Sequence, residues 1–191
     1  MASIGLLKPR VAKYAVSSGT VSYSDGQIIG KAITHELTLN NADPVVLYAD
    51  DGAAESVGGF SSGTLTIGID ELPMSVAGLL FGITPETSTT PAGSIVTFDD
   101  DAEPPYLGYG VVVPKIHNGT KTYLAVLLKK IKFVLPPDSF ETRGETVTFK
   151  TPELTATVMR DDSAKHPWRK WAEFGTEDAA NTWLNGQLSI T

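Results

Sequence analysis

Apolar and polar positions alternate in short runs along much of this chain, and the most strongly β-patterned stretch is residues 106–134. Two β-rich runs there are joined by Asn118-Gly119, and both residue types accept φ > 0, which suits a two-residue hairpin turn. Such a turn sets the register. His117 faces Thr120, Val113 faces Leu124, Val111 faces Val126, and Tyr109 faces Leu128. One face of this predicted hairpin is apolar along its middle, and the other carries Gly108, Gly110 and Val112 against Ala125, Leu127 and Lys129. Both faces are short of charge, so both need cover that a lone hairpin cannot supply. Further along, Ile131 and Phe133 alternate with Lys130 and Lys132 as in a half-buried strand. Pro114 donates nothing to a ladder and predicts an edge or a bulge. The polar tip (Lys115, His117, Thr120, Lys121) predicts that the hairpin projects from the body.

The rest of the chain reads mostly as strands. Residues 10–16 alternate briefly, 17–26 are turn-rich with a small hairpin at Ser18-Gly19, and 27–39 form a longer strand candidate. Residues 45–48 end at Ala49-Asp50-Asp51-Gly52, and 53–62 read as a mobile loop. Leu65, Ile67 and Ile69 mark a clean strand over 63–69. Pro73 opens a predicted helix at its first position, with Asp70 and Glu71 where the helix dipole favours acids, and Gly82 closes it. Nothing from residue 72 to 85 carries a charge, whereas a surface helix keeps one polar face; cover by a partner subunit is the economical expectation. Residues 84–105 read as a long polar loop, as do 136–144. Residues 145–159 form a strand pair or one bent strand broken at Pro152, and 168–174 a last strand at an edge. Thr176 caps a C-terminal helix with Glu177 and Asp178 in its first turn, Ala180, Trp183 and Leu184 on one face, and Gly186 as its stop.

The 191 residues, 41% of them hydrophobic, suffice for one domain with a real core. A mainly β fold carrying the long hairpin is predicted. With 15 basic and 22 acidic residues the net charge is −7, a poor basis for wrapping nucleic acid, whose affinity comes from neutralised phosphates. Cysteine is absent, which removes disulfides, thiolate metal sites and cysteine nucleophiles. The N-terminus has no signal-peptide core and no run approaches the ~20 apolar residues of a membrane helix, so the default expectation is a soluble, intracellular chain without a membrane partner. Asn118-Gly119-Thr120 matches a glycosylation acceptor, but the turn explains it without a secretory signal.

Candidate chemistry is sparse. His35, His117 and His166 lie far apart and none has a second histidine or acid at metal-ligand spacing. Asp50-Asp51 and Asp99-Asp100-Asp101 lack the alternate spacing and distal glutamate of a calcium loop. No phosphate loop, GxSxG elbow or HExxH occurs. The expectation is a non-enzyme without metal or cofactor, although a glycosidase-like carboxylate pair among 22 acids is open to sequence reasoning.

A series of short signatures runs through the chain in order. They are Ser3-Ile4-Gly5-Leu6 with Lys13-Tyr14, Asp25-Gly26 before Ile28, Leu47-Tyr48-Ala49-Asp50-Asp51-Gly52 with Glu55, and Gly63-Thr64-Leu65-Thr66-Ile67. Tyr106-Leu107-Gly108-Tyr109-Gly110, Asn118-Gly119 with the Lys129 to Phe133 run, Gly144-Glu145-Thr146-Val147 and the terminal Trp168 to Leu184 segment complete it. In this order they resemble the major tail proteins of long-tailed phages of Gram-positive hosts, over nearly the whole chain; each motif alone is weak, and order and spacing carry the likeness. The resemblance implies the tail-tube fold, two packed antiparallel sheets as a sandwich or partly open barrel flanked by a short α-helix, and hexameric rings that stack into a tube, with strands of every subunit joined in one β-barrel around a DNA channel. It implies a virion protein made in the host cytoplasm, whose partners are itself, the tape measure, terminator and distal tail proteins, and DNA passing without specific binding. The uncharged helix and Pro114 depart from the family pattern, and the appended immunoglobulin-like module of some relatives is missing, leaving a single domain over 1–191.

On this reading Leu79, Leu80, Val112, Asp50, Asp51, Glu55 and Asn118 are the candidate inter-subunit contacts. The hairpin and its neighbours are expected to be free edges in the monomer, and loops 49–62 and 84–105 to become ordered only between rings. The charge is uneven: +5 over 106–135 (Lys115, Lys121, Lys129, Lys130, Lys132) and −7 over 61–105. A DNA passage is expected to be neutral or acidic, so the hairpin lysines are expected to be neutralised by acids of neighbouring subunits or to face away. A β-sandwich binding module for a receptor or carbohydrate is the alternative from another class, and a hydrolase is the second.

Overall fold

The computed structural model describes residues 2–41, 45–49, 52–57, 59–89, 91–98, 103–136 and 151–190. Its strands are β1 (Ala2–Ser3), β2 (Leu7–Ser17), β3 (Thr20–Ile28), β4 (Ala32–Asn41), β5 (Val45–Ala49), β6 (Gly52–Val57) and β7 (Phe60–Ile69). Helix α1 (Met74–Phe81) follows, then β8 (Glu86–Thr89), β9 (Ala92–Ile95), β10 (Leu107–His117), β11 (Thr120–Phe133), β12 (Glu153–Met159), β13 (Arg169–Phe174) and helix α2 (Glu177–Leu188). The fold is mainly β. Among the described residues nine strands form one antiparallel sheet in the order β3-β2-β10-β11-β12-β7-β4, with β1 beside β10 and β13 beside β11. β5–β6 and β8–β9 are separate two-stranded hairpins.

The hairpin of β10 and β11 is the centre of this sheet. Asn118 and Gly119 hold φ of 48° and 78°, and the ladder pairs His117 with Thr120, Val113 with Leu124, Val111 with Val126 and Tyr109 with Leu128, the register that the turn predicts. Its strands are not free edges, contrary to the sequence expectation, because β2 lies along β10 and β12 and β13 share the far side of β11. The tip extends past the last β2 pair (Val112 with Leu7) and the last β13 pair (Tyr123 with Phe174), with β1 beside it. Pro114 falls in the gap between the β2 and β1 pairings, where its missing N–H costs no bond, and its carbonyl accepts from the Ile4 amide at 2.9 Å.

The sheet curls until its far strand, β4, comes back over its middle. His35 on β4 stacks on Tyr109 of β10, ring centroids 5.7 Å apart and planes 10° apart, with Nδ1 3.1 Å from the Tyr109 hydroxyl. The two layers expected of a sandwich are therefore two parts of one curled sheet, a partly open barrel. Leu65, Ile67, Ile69, Tyr109, Val111, Leu128, Ile131, Phe133 and Val158 fill its interior, and α1 closes it with Val76, Leu79, Leu80 and Phe81.

Several elements differ from the sequence expectation. The 27–39 strand is two strands, parted at 29–31: Ile29 turns into the core while its amide makes the last bond of the β2–β3 ladder, to the Pro9 carbonyl at 2.8 Å. Residues 52–57 and 60–62 are strand rather than loop, and 84–105 contains the β8–β9 hairpin; their small and hydroxylic side chains hide a pattern that backbone pairing sustains. Pro73 is the N-cap of α1 rather than its first residue, and Asp70 instead accepts the Lys31 and Glu71 amides at 2.7 and 3.0 Å. Gly82 does end that helix in the left-handed conformation, φ 73°. Gly186 lies inside α2, which ends at Ser189. β13 is an edge strand as expected, and Thr176 caps α2 by accepting from the Ala179 amide at 3.3 Å. The 136–144 loop and the first half of 145–159 lie outside the described residues, apart from Pro136.

Candidate assembly surface

The outer face of the central hairpin is covered by the chain's own C-terminal helix. Ala180, Leu184 and Leu188 of α2 pack on Ala12, Val112, Ala125 and Leu127. Glycine makes this close approach possible. A Cβ on Gly108 would lie 2.4 Å from Tyr23 Cε1 and 2.9 Å from Leu188 Cδ2, and one on Gly110 would lie 3.0 Å from Leu184 Cδ2. At the seam sits Arg10, 1% exposed, with no carboxylate among its bonded partners in the described residues. Its guanidinium donates to the Asn181 side chain at 2.5 Å, the Asn181 carbonyl at 3.3 Å, the Lys8 carbonyl at 3.1 Å and the Asn185 side chain, and burial lowers its pKa. An ion surrounded by amide oxygens meets the rule that buried charge must be hydrogen-bonded.

These contacts revise the candidate list. Val112 is fully buried beneath α2, and Leu79 and Leu80 are 7% and 0% exposed inside the barrel core, so none of the three presents a surface to a neighbour. Their lack of charge reflects burial within one subunit rather than cover by a second. Asn118 is exposed at the hairpin tip. Glu55 pairs with Leu47 in the β5–β6 ladder; Asp50 and Asp51 lie outside the described residues.

Three of the five hairpin lysines, Lys129, Lys130 and Lys132, are matched by acids of the same chain, whereas Lys115 and Lys121 near the tip have no ion pair among the described residues. The β10–β11 register shifts between Leu107 (opposite Ile131) and Tyr109 (opposite Leu128), so β11 carries an extra residue there. Such a bulge breaks the alternation, and Lys129 and Lys130 both escape the core that Leu128 and Ile131 enter. Lys129 pairs with buried Asp161, whose carboxylate also accepts from the Ser163 hydroxyl at 2.8 Å. Lys130 reaches Asp162 at 2.7 Å and Lys132 reaches Glu103 at 2.5 Å. The hydrogen bond from Lys130, then that from the Tyr14 hydroxyl, holds the Asp162 carboxyl below its usual range, and Lys132 does the same to Glu103. Burial, with the Asp162 contact, pushes the Tyr14 hydroxyl up to about 12. Tyr106 lies under both ammonium groups, 4.5 Å from Lys130 and 5.4 Å from Lys132.

Two exposed apolar features stand out among the described residues. One is an open groove of about 470 Å³ lined by Pro104, Tyr106, Phe133, Val134, Leu135 and Met159 with Lys132 and Thr157. The other is a stack on β13, where the Arg169 guanidinium lies 4.4 Å from the Trp168 ring and 4.1 Å from the Trp171 ring, and Trp168 stacks on Phe60 at 4.2 Å. Trp171 is 56% exposed.

Neither the known protein-family models nor the curated proteins searched give a match. Among the described residues no group of three or more His, Asp or Glu is placed to hold a metal, and no helix is long and apolar enough to cross a membrane.

Sequence reasoning missed Arg10, Asp161 and Trp171. For Arg10 the available signal is Asn181 and Asn185 spaced i, i+4 on a predicted helix. For Trp171 it is an aromatic on the strand already expected at an edge. Asp161 has no local signature, because its role depends on the bulge at Lys129.

Proposed function

We propose that this chain is the structural subunit of a phage tail tube, assembling as stacked hexameric rings around a channel for DNA and performing no chemistry. The observation that carries the reading is the ordered series of tail-protein signatures, from Ser3-Ile4-Gly5-Leu6 to the Trp168 to Leu184 segment. The fold agrees with it in kind: a mainly β, partly open barrel whose outermost strands β3, β4 and β13 pair on one side only among the described residues, so that backbone donors and acceptors are left for neighbours. The charge agrees as well, since Lys129, Lys130 and Lys132 are each matched by an acid of the same chain and so offer little unbalanced attraction to phosphate. Tape-measure, terminator and distal tail proteins are the further partners on this reading, and the virion is its place.

The exposed Trp171 favours the alternative of a receptor- or carbohydrate-binding module. Against it, the apolar groove on the sheet is lined by other residues and does not include Trp171. Negative-stain microscopy of concentrated protein tests the proposal: hollow tubes support it, and particles dispersed at every concentration refute it.

A further inference from the structure

Strand β13 ends the sheet beside the hairpin tip. The Trp168 carbonyl accepts from the Lys129 amide at 3.0 Å. In an antiparallel ladder, Lys170, Ala172 and Phe174 then also turn their backbone groups towards β11, while Arg169, Trp171 and Glu173 turn theirs to the other edge, which is open among the described residues. The side chains of these same three residues share one face, at the level of Leu128, Val126 and Leu124. That face reads cation, indole, anion, and it is centred on the residue that is 56% exposed. A strand with this pattern is complementary to itself when reversed.

We propose that β13 pairs antiparallel with β13 of a second copy about a two-fold axis at Trp171. A two-fold axis perpendicular to a sheet keeps facing side chains on the same side, so Arg169 of each copy lies opposite Glu173 of the other, and the two Trp171 rings meet at the centre. On the reverse face Lys170 lies opposite Ala172, and no like charges face each other. The register is selective. Moving the axis to Ala172 sets Trp171 against Glu173 and loses both ion pairs. Moving it to Glu173 or to Arg169 sets two like charges face to face, an arrangement that destabilises a sheet. Each outward residue contributes one N–H and one C=O to the new ladder, the mode by which an edge strand captures another strand. Trp and Arg are the residues most enriched where interface energy concentrates, and Arg169 is already held in place by the two indoles.

An isologous contact of this kind closes on itself. It gives a dimer of the free subunit with the β13 edge occupied, and it does not depend on the tube reading.

Sedimentation velocity of the full chain from ~1 to ~100 µM is the test. The expected result is a reversible shift from 20.3 kDa to twice that mass. Trp171→Lys and Glu173→Arg each place like charges across the axis and are expected to raise the dimer Kd at least ~30-fold, while Arg169→Glu with Glu173→Arg restores it to within ~3-fold. Circular dichroism melting confirms that each variant is folded. A monomer at every concentration, an assembly insensitive to Trp171→Lys, or a folded double variant that stays monomeric overturns the proposal.

Discussion

Filling the two glycines beneath α2 tests whether that helix, rather than a neighbouring subunit, covers the central hairpin. Gly108→Ala places a methyl 2.4 Å from Tyr23 Cε1. That ring cannot swing away freely, because its hydroxyl donates to the Lys129 carbonyl at 2.8 Å and its edge meets Tyr14 with centroids 6.0 Å apart. Gly110→Ala meets first the ends of Leu184 and Leu188, at 3.0 and 3.1 Å, with Arg10 Cγ at 3.4 Å, and a leucine terminus gives more easily than a hydrogen-bonded ring. Overpacking a close-packed site costs ~1–3 kcal/mol. Gly108→Ala belongs at the upper end, roughly 2–3 kcal/mol, and Gly110→Ala at about 1 kcal/mol. In a chain of this size the first lowers Tm by about 4–12 °C and the second by about 2–4 °C. Leu184→Ala alone removes a fully buried side chain and costs ~3 kcal/mol. It also vacates the space that the methyl added at Gly110 needs, so the Gly110→Ala/Leu184→Ala double variant should cost less than the sum of the two by ~0.5 kcal/mol or more. Urea unfolding of the monomeric chain measures all four. The account of the covered face is refuted if Gly110→Ala costs more than Gly108→Ala, or if the Gly110 and Leu184 effects simply add.

Lys129→Met strands buried Asp161 without its cation and should cost ~3–5 kcal/mol, whereas Lys132→Met, whose partner Glu103 is largely exposed, should cost less than ~1 kcal/mol; equal effects in urea unfolding would contradict the assignment of Asp161 as buried. Burial lowers the pKa of His35 below its ordinary 6.5. The unfolded chain therefore binds the proton more readily, and stability is full above pH 6.5 and falls as the pH drops from there to the lowered folded value; this fall should be absent in His35→Gln, and a wild-type profile retained in that variant would refute it. Leu80→Asp should abolish the monomer fold itself, since a carboxylate at a fully buried position costs several kcal/mol; a folded but assembly-deficient variant would return Leu80 to the list of inter-subunit contacts.

What could be foreseen from sequence follows the range of the interactions involved. The hairpin register was legible because Asn118-Gly119 fixes it locally, and the start of α2 because Thr176, Glu177 and Asp178 act within one turn. The cover of the hairpin was not. Gly108, Gly110 and Val112 form an uncharged face whether the cover is a helix of the same chain or another subunit, and the pairing of Leu184 and Leu188 with those glycines joins residues far apart in sequence. The same ambiguity put Leu79 and Leu80 on an interface, because an uncharged helix looks alike in a core and in an assembly. Lys129, Lys130 and Lys132 read as one excess of positive charge until the bulge at Lys129 and the acids of residues 161–162 are placed beside them. Trp171 sits on a strand whose edge position was legible, but its exposure is a property of what fails to pack on it.

The central claim is that copies of this chain build a channelled tube, and electron microscopy of the purified protein across a concentration series tests it most directly. The account predicts hollow filaments of stacked six-membered rings with an open axial lumen. Single subunits and closed dimers alone, at every concentration, would contradict it.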